Sequence, residues 1–187
     1  MNINESEADA ARLVDERRYK EARRLLLELS EHGSIYSYLT LGWIYEQGVL
    51  GRKDIGAAKH WYERAVSVAY PEAYLRLGRL LTDQGELERA RKAFEAGAKM
   101  RNLGSMYQLG KILLDDAQSP GDVEHGIAWL ERAANDGHIY AQRRLVRLKV
   151  KNSKSLIGKI LLIPLIVRTA INGVKEIRKD VYSDKVS

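Results

Sequence analysis

Four histidines, His32, His60, His125 and His138, are the side chains best suited to proton transfer or metal binding. Their spacing favours neither. No two form an H-E-x-x-H pair, and the absence of cysteine rules out thiolate ligands. Asp115-Asp116 lacks a third carboxylate at ligand spacing and falls at a helix end beside a turn. There is no phosphate-binding loop and no G-x-S-x-G nucleophile elbow. The residues point away from an enzyme, so no catalytic residue, metal or cofactor is expected. His60 and His125 are expected at the surface of second helices, and His32 and His138, beside Gly33 and Gly137, as C-terminal helix residues.

The elements beneath these residues repeat. Leu41-Gly42, Leu77-Gly78 and Leu109-Gly110 each sit inside an apolar helical pattern, and Leu145-Val146 keeps the leucine but loses the glycine. The glycine position steps by 36, 32 and 36 residues. A second helix returns in phase: Ala22, Ala58, Ala90 and Gly126 take the same steps. Three residues on come Leu25, Trp61, Ala93 and Trp129, then Leu26, Tyr62, Phe94 and Leu130, then Leu29, Ala65, Gly97 and Ala133. Small, large, large, small at i, i+3, i+4 and i+7 is one helix face. The small positions let paired helices approach while the large ones fill the space between them. Loops 47–54 and 115–122 contain Gly or Pro, with Asp54 and Asp122 suited to cap the helices that follow, and Asp83-Gln-Gly-Glu86 is a tight turn.

Leu41-Gly42-x-x-Tyr45-x-x-Gly48, followed by Asp54-x-x-Ala57-x-x-Trp61-Tyr62-x-x-Ala65, resembles a Sel1-like repeat. Asp122 to Gly137 resembles the second half of another, whereas Leu77 to Ala98 and the degenerate Arg17 to Leu29 look like tetratricopeptide repeats. The resemblance covers roughly residues 7 to 148. It implies an all-α, right-handed α-solenoid of about four helix-turn-helix repeats over residues 1–149, with a separate C-terminal segment, 150–187. Lys149, at the phase of Tyr45, marks where the regular array should end.

In repeats of this kind the residues flanking the Leu-Gly pair face a concave groove. Here they are Thr40 and Trp43, Arg76 and Arg79, Gln108 and Lys111, and Arg144 and Arg147. Five of the eight are basic, which suits an acidic peptide or loop of a protein partner. The alternative is an ordinary solvated helix face. Tyr45, Trp61 and Tyr62 match core positions. Trp43 stands where other repeats place Arg79, Lys111 and Arg147, and is the candidate apolar anchor.

Charge is unevenly placed. Residues 1–142 hold 19 Lys and Arg against 22 Asp and Glu; residues 143–187 hold 12 against 3. Within that basic end, 155–174 reads SLIGKILLIPLIVRTAINGV. Lys159, Pro164 and Arg168 interrupt it, so it is a poor membrane span, which needs about 20 apolar residues. Three readings stay open. Leu156, Ile157, Ile160, Leu161, Ile163, Leu165 and Ile166, with Arg168, could meet an anionic membrane surface. The segment could instead cap the solenoid, or bind a partner or a second copy to give a homo-oligomer. Pro164 should break a helix near Ile163. Nucleic acid is not an expected partner, because the basic tail lacks interleaved aromatics.

The N-terminus, MNINESEADAARLVDERR, has no apolar run of signal-peptide length. The reading is a non-enzymatic adaptor or scaffold in the cytoplasm, peripheral at the inner face of a membrane. The resemblance adds envelope, secretion and surface-polysaccharide assemblies as settings. The alternative is a soluble structural or chaperone-like subunit whose apolar tail is buried against another chain.

Overall fold

The computed structural model describes residues 2–152 together with 163, 164, 166, 167, 169–171, 173 and 174. All regular structure among the described residues is helical. The chain divides into two compact units, Met1–Asn102 and Leu103–Ser187. The first holds α1 (Ile3–Asp15), α2 (Tyr19–Glu31), α3 (Ile35–Gln47), α4 (Ile55–Ser67), α5 (Pro71–Asp83) and α6 (Leu87–Lys99). Each helix packs on its chain neighbour, so that three hairpins stack in sequence. The second unit holds α7 (Leu103–Asp115), α8 (Pro120–Asn135) and α9 (Ile139–Asn152), followed by helical residues between 163 and 174. These repeated helix-turn-helix units are the architecture of an α-solenoid.

The in-phase small and large positions make the core. Ala22, Ala58 and Ala90 are fully buried, and so are Leu26, Tyr62 and Leu130, with Phe94 close behind. A Cβ on Gly42 would lie 2.6 Å from Tyr62 Cδ1, and one on Gly78 would lie 2.7 Å from Phe94 Cδ1. At Gly110 it would meet Gly126 O at 2.8 Å and Leu130 Cγ at 2.9 Å. In all three hairpins, therefore, the first helix gives up a side chain so that the large residue of the second can lie against its backbone. The helix α1 supplies a first member that the Leu-Gly pattern does not reveal. There Ala10, 32 residues before Gly42, is fully buried opposite Ala22 and Leu26.

Six short turns share one closure. Arg17, Gly33, Ala69, Gly85, Arg101 and Gly137 all have left-handed backbone. After each, the next N–H reaches back to a carbonyl five residues earlier: Arg18 to Leu13, Ser34 to Leu29, Tyr70 to Ala65, Glu86 to Leu81, Asn102 to Gly97 and His138 to Ala133. Three of the six carry a side chain in this conformation, which costs roughly 1–2 kcal/mol. Ala69 is exposed, so Ala69→Gly removes that strain without opening a cavity. Glycine's freedom in the unfolded chain offsets about 0.5–1 kcal/mol of the gain. Ala69→Gly is expected to stabilise the protein by about 0.5–1 kcal/mol net in urea unfolding.

Capping partly departs from expectation. Asp54 caps α4 by accepting from Ala57 N–H at 2.9 Å, as its position suggests. Asp122 does not cap α8. The helix starts earlier, at Pro120, with Ser119 as N-cap, and Asp122 completes a capping box from inside the first turn. Proline at the first helical position favours that earlier start.

Candidate functional site

In the first unit, the exposed residues of α5 fall on one stripe. Ala73, Leu75, Leu77, Gly78, Leu80 and Leu81 are buried; Glu72 and Arg76 are half-buried, and Arg79 and Asp83 are exposed. Residues at i, i+4, i+7 and i+11 share a helix face. On α3 the same phase holds Tyr36, Thr40, Trp43 and Gln47, the last exposed and the others half-buried. In the second unit it holds Gln108, Lys111 and Asp115 on α7, and Tyr140, Arg144, Arg147 and Lys151 on α9. All eight candidate positions thus fall on the solvent-facing stripes of first helices.

The five cations among the eight candidate positions are not equivalent. Arg76 Nε lies 3.4 Å from Glu72 Oε1, and Arg144 is ion-paired with Asp115 of the preceding first helix. Arg79, Lys111 and Arg147 are exposed and make no ion pair among the described residues. The Glu72–Arg76 pair has the i, i+4 spacing of a helical ion pair, so a sequence signal for it exists. Asp115 and Arg144 lie 29 residues apart, with no local signal to join them.

Trp43 is half-buried against the core and its ring centre is 6.1 Å from that of Tyr19, so only part of it is presented outward. Burial raises the pKa of the neighbouring Tyr36 hydroxyl, and a hydrogen bond with Thr40 offsets part of the rise. Tyr62 is core, as its phase implies. Its hydroxyl donates to Glu46 Oε2 at 2.6 Å, and burial followed by that carboxylate holds its pKa far above the usual tyrosine value. Trp61 packs on the core and stacks on Tyr38, and Tyr45 accepts a hydrogen bond from Arg23 Nε at 2.8 Å.

The histidines divide. His60 and His125 are exposed, and His32 is the C-cap residue of α2. His138 departs from its expected C-terminal place. It precedes α9, and its Nδ1 accepts from Ala141 N–H at 3.2 Å. Its ring stacks on Tyr107 of α7 at 4.9 Å, with Tyr140 of α9 6.0 Å from His138 and 6.3 Å from Tyr107. Sequence spacing gives no hint of this aromatic group, whose members come from two helices and a turn.

In the C-terminal segment, Leu156, Ile157, Ile160, Leu161, Leu165 and Arg168 lie outside the described residues, and so does the chain before Ile163 where a break is expected. The described residues show two faces. Thr169 and Gly173 are buried, and a Cβ on Gly173 would meet the Arg143 guanidinium of α9. Ile163, Ile166, Val167, Ile171 and Val174 are between 40% and 53% exposed. No helix among the described residues is long and apolar enough to cross a membrane.

Repeated helical hairpins with glycine at the close approach define a helical-repeat protein. The Sel1 repeat model matches residues 35–67 and 100–138, and a tetratricopeptide repeat model matches 71–102. The chain belongs to the Sel1-like and tetratricopeptide repeat family. Among solved structures it is similar to a Sel1 repeat protein from Oxalobacter formigenes, with a TM-score of 0.76, 19% identity, and coverage of 89% of this chain and 70% of that one. A protective antigen of uropathogenic Escherichia coli with an SLR fold gives a TM-score of 0.68 and 20% identity over 81% of this chain and 34% of that one. At such identities the likeness is one of fold. A curated relative, chitin synthase regulatory factor 4 of Schizosaccharomyces pombe, is 31% identical over 99 residues. The match takes in 50% of this chain and only 16% of that protein's length. Repeats of these kinds indicate a protein-interaction adaptor, and the family's members are generally non-enzymatic scaffolds.

Proposed function

We propose that the protein is a non-enzymatic adaptor that holds an acidic segment of a protein partner on its first-helix stripes and rests on the cytoplasmic face of a membrane through its C-terminal region. One observation carries the membrane part. The described helical residues between 163 and 174 seat a narrow face, Thr169 and Gly173, and leave an apolar stripe of five half-exposed isoleucines and valines. A helix that only capped the array would carry a polar outer face.

Charge selects among the covers for that stripe. Residues 143–187 hold 12 Lys and Arg against 3 Asp and Glu. Two copies face to face would bring those charges together, whereas an anionic bilayer attracts each nearby cation by about 1 kcal/mol. The curated relative, named as a regulatory factor of a chitin synthase, is in keeping with a protein that works through another.

Sedimentation of the full chain with vesicles tests the reading. Binding to vesicles containing phosphatidylserine and not to pure phosphatidylcholine, weakened by salt, is the expected result. A chain that stays in the supernatant with both vesicle types and runs as a dimer would replace the bilayer with a second copy.

A further inference from the structure

We infer that the second unit recognises a partner segment carrying an aromatic residue and a carboxylate three positions apart. The inference rests on the adaptor reading and narrows the partner's chemistry.

The surface has two parts on adjoining helices. Where α7 meets the start of α9, Tyr107 and His138 stack and Tyr140 lies tilted beside both; Tyr140, the outer member, is 64% exposed. That is the greatest exposure of any large apolar or aromatic residue among the described ones. An aromatic ring left so open beside two others offers a stacking platform that the fold does not use. Further along the same stripe stand the cations. Tyr140, Arg144 and Arg147 follow one another at i, i+4 and i+7 on α9, while Lys111 lies one turn beyond Tyr107 on α7.

Arg144 is occupied by Asp115, so the charge left for a partner belongs to Lys111 and Arg147, which flank that pair. Both are exposed and have no acidic partner among the described residues. From Tyr140 to Arg147 the helix rises about 10.5 Å. An extended chain covers that distance in about three residues. A ring of the partner lying on Tyr140 therefore brings a side chain three residues away opposite Arg147, where a carboxylate is the complementary group.

The test uses the full chain and a fluorescein-labelled, end-blocked peptide, Gly-Trp-Ser-Ser-Glu-Gly, read by fluorescence anisotropy. Changing its Trp to Ser, or its Glu to Lys, is expected to weaken binding about tenfold or more. Tyr140→Ser and Arg147→Glu should each weaken it to a similar extent, with melting temperature unchanged because both side chains are exposed. Equal affinity for the Trp-less peptide would remove the aromatic platform and leave an acidic partner standing. Loss on Arg79→Glu but not on Arg147→Glu would move the site to the first unit and overturn the inference. Failure of all the peptides would overturn it too, while capture of a protein partner by the full chain would still support the adaptor.

Discussion

Phe94→Ala is expected to destabilise the protein by about 3–5 kcal/mol, and Gly78→Ala should reverse its usual sign when made in that background. Phe94 is buried to 1% and its ring lies against the backbone of α5 at Gly78. Truncation removes the ring and leaves a cavity that two rigid helices cannot close. On its own, Gly78→Ala sets two effects against each other. Alanine favours a helix interior over glycine by about 1 kcal/mol. Against that, the new methyl would sit 2.7 Å from Phe94 Cδ1, and overpacking a full core costs about 1–3 kcal/mol. The ring is hemmed in, so the clash should win and the single variant should lose about 1–2 kcal/mol. With Phe94 already cut to alanine the clash is gone, the methyl fills part of the void, and the propensity gain shows. Urea unfolding of the four proteins in the cycle measures the coupling, whose expected size is about 2 kcal/mol or more. Additive losses would mean that the ring and the glycine do not meet. The equivalent pair, Gly42 and Tyr62, should behave the same way, although Tyr62 also loses its hydrogen bond to Glu46 on truncation.

That coupling explains why so much of the fold was legible. A glycine that must sit under a large ring, and a small residue that must sit four positions before that ring, are both constrained by packing. They therefore return at fixed steps along the chain. Where packing can be met by another residue the signal fades. Ala10 does in α1 what glycine does in α3 and α5, and nothing in the word Ala-Ala-Arg marks it. Turns were legible at Gly33, Gly85 and Gly137 but hidden at Arg17, Ala69 and Arg101, which take the same left-handed backbone at a tolerable cost.

The candidate site was legible in position and not in chemistry. Phase alone places Arg76, Arg79, Lys111, Arg144 and Arg147 on the outward stripes. Which of them are already neutralised depends on Glu72 and on Asp115, the second of which meets Arg144 only because α7 and α9 lie side by side. His138 shows the same limit. A histidine next to glycine at a helix junction suits the end of one helix or the start of the next, and only the Ala141 hydrogen bond decides for the start.

Val167→Asp together with Val174→Asp is expected to reduce binding to anionic vesicles by about 10²–10³-fold, if lipid covers the apolar stripe as proposed. The two residues lie seven apart on one helix face and are 49% and 53% exposed, so neither change should disturb packing within the unit. Full burial of such a side chain contributes about 1.5–3 kcal/mol, and roughly half of that is still to be gained at a half-exposed position. Each aspartate forfeits about 1 kcal/mol in that way. It also places an anion where about 1 kcal/mol of headgroup attraction per cation operates. The two sites together forfeit about 3–4 kcal/mol, and each 1.4 kcal/mol is tenfold. Val68→Asp with Val123→Asp makes a matched control, because these valines are 49% and 38% exposed and lie at the end of α4 and on α8, outside the stripe. The control changes net charge identically and should lower binding only slightly. If both pairs weaken binding equally, the bilayer senses overall charge and the stripe is not its contact. If the tail pair leaves vesicle binding intact but dissolves a dimer, the five apolar residues face a second copy, and like charge on the flanks must then be relieved by a geometry that keeps the basic residues apart.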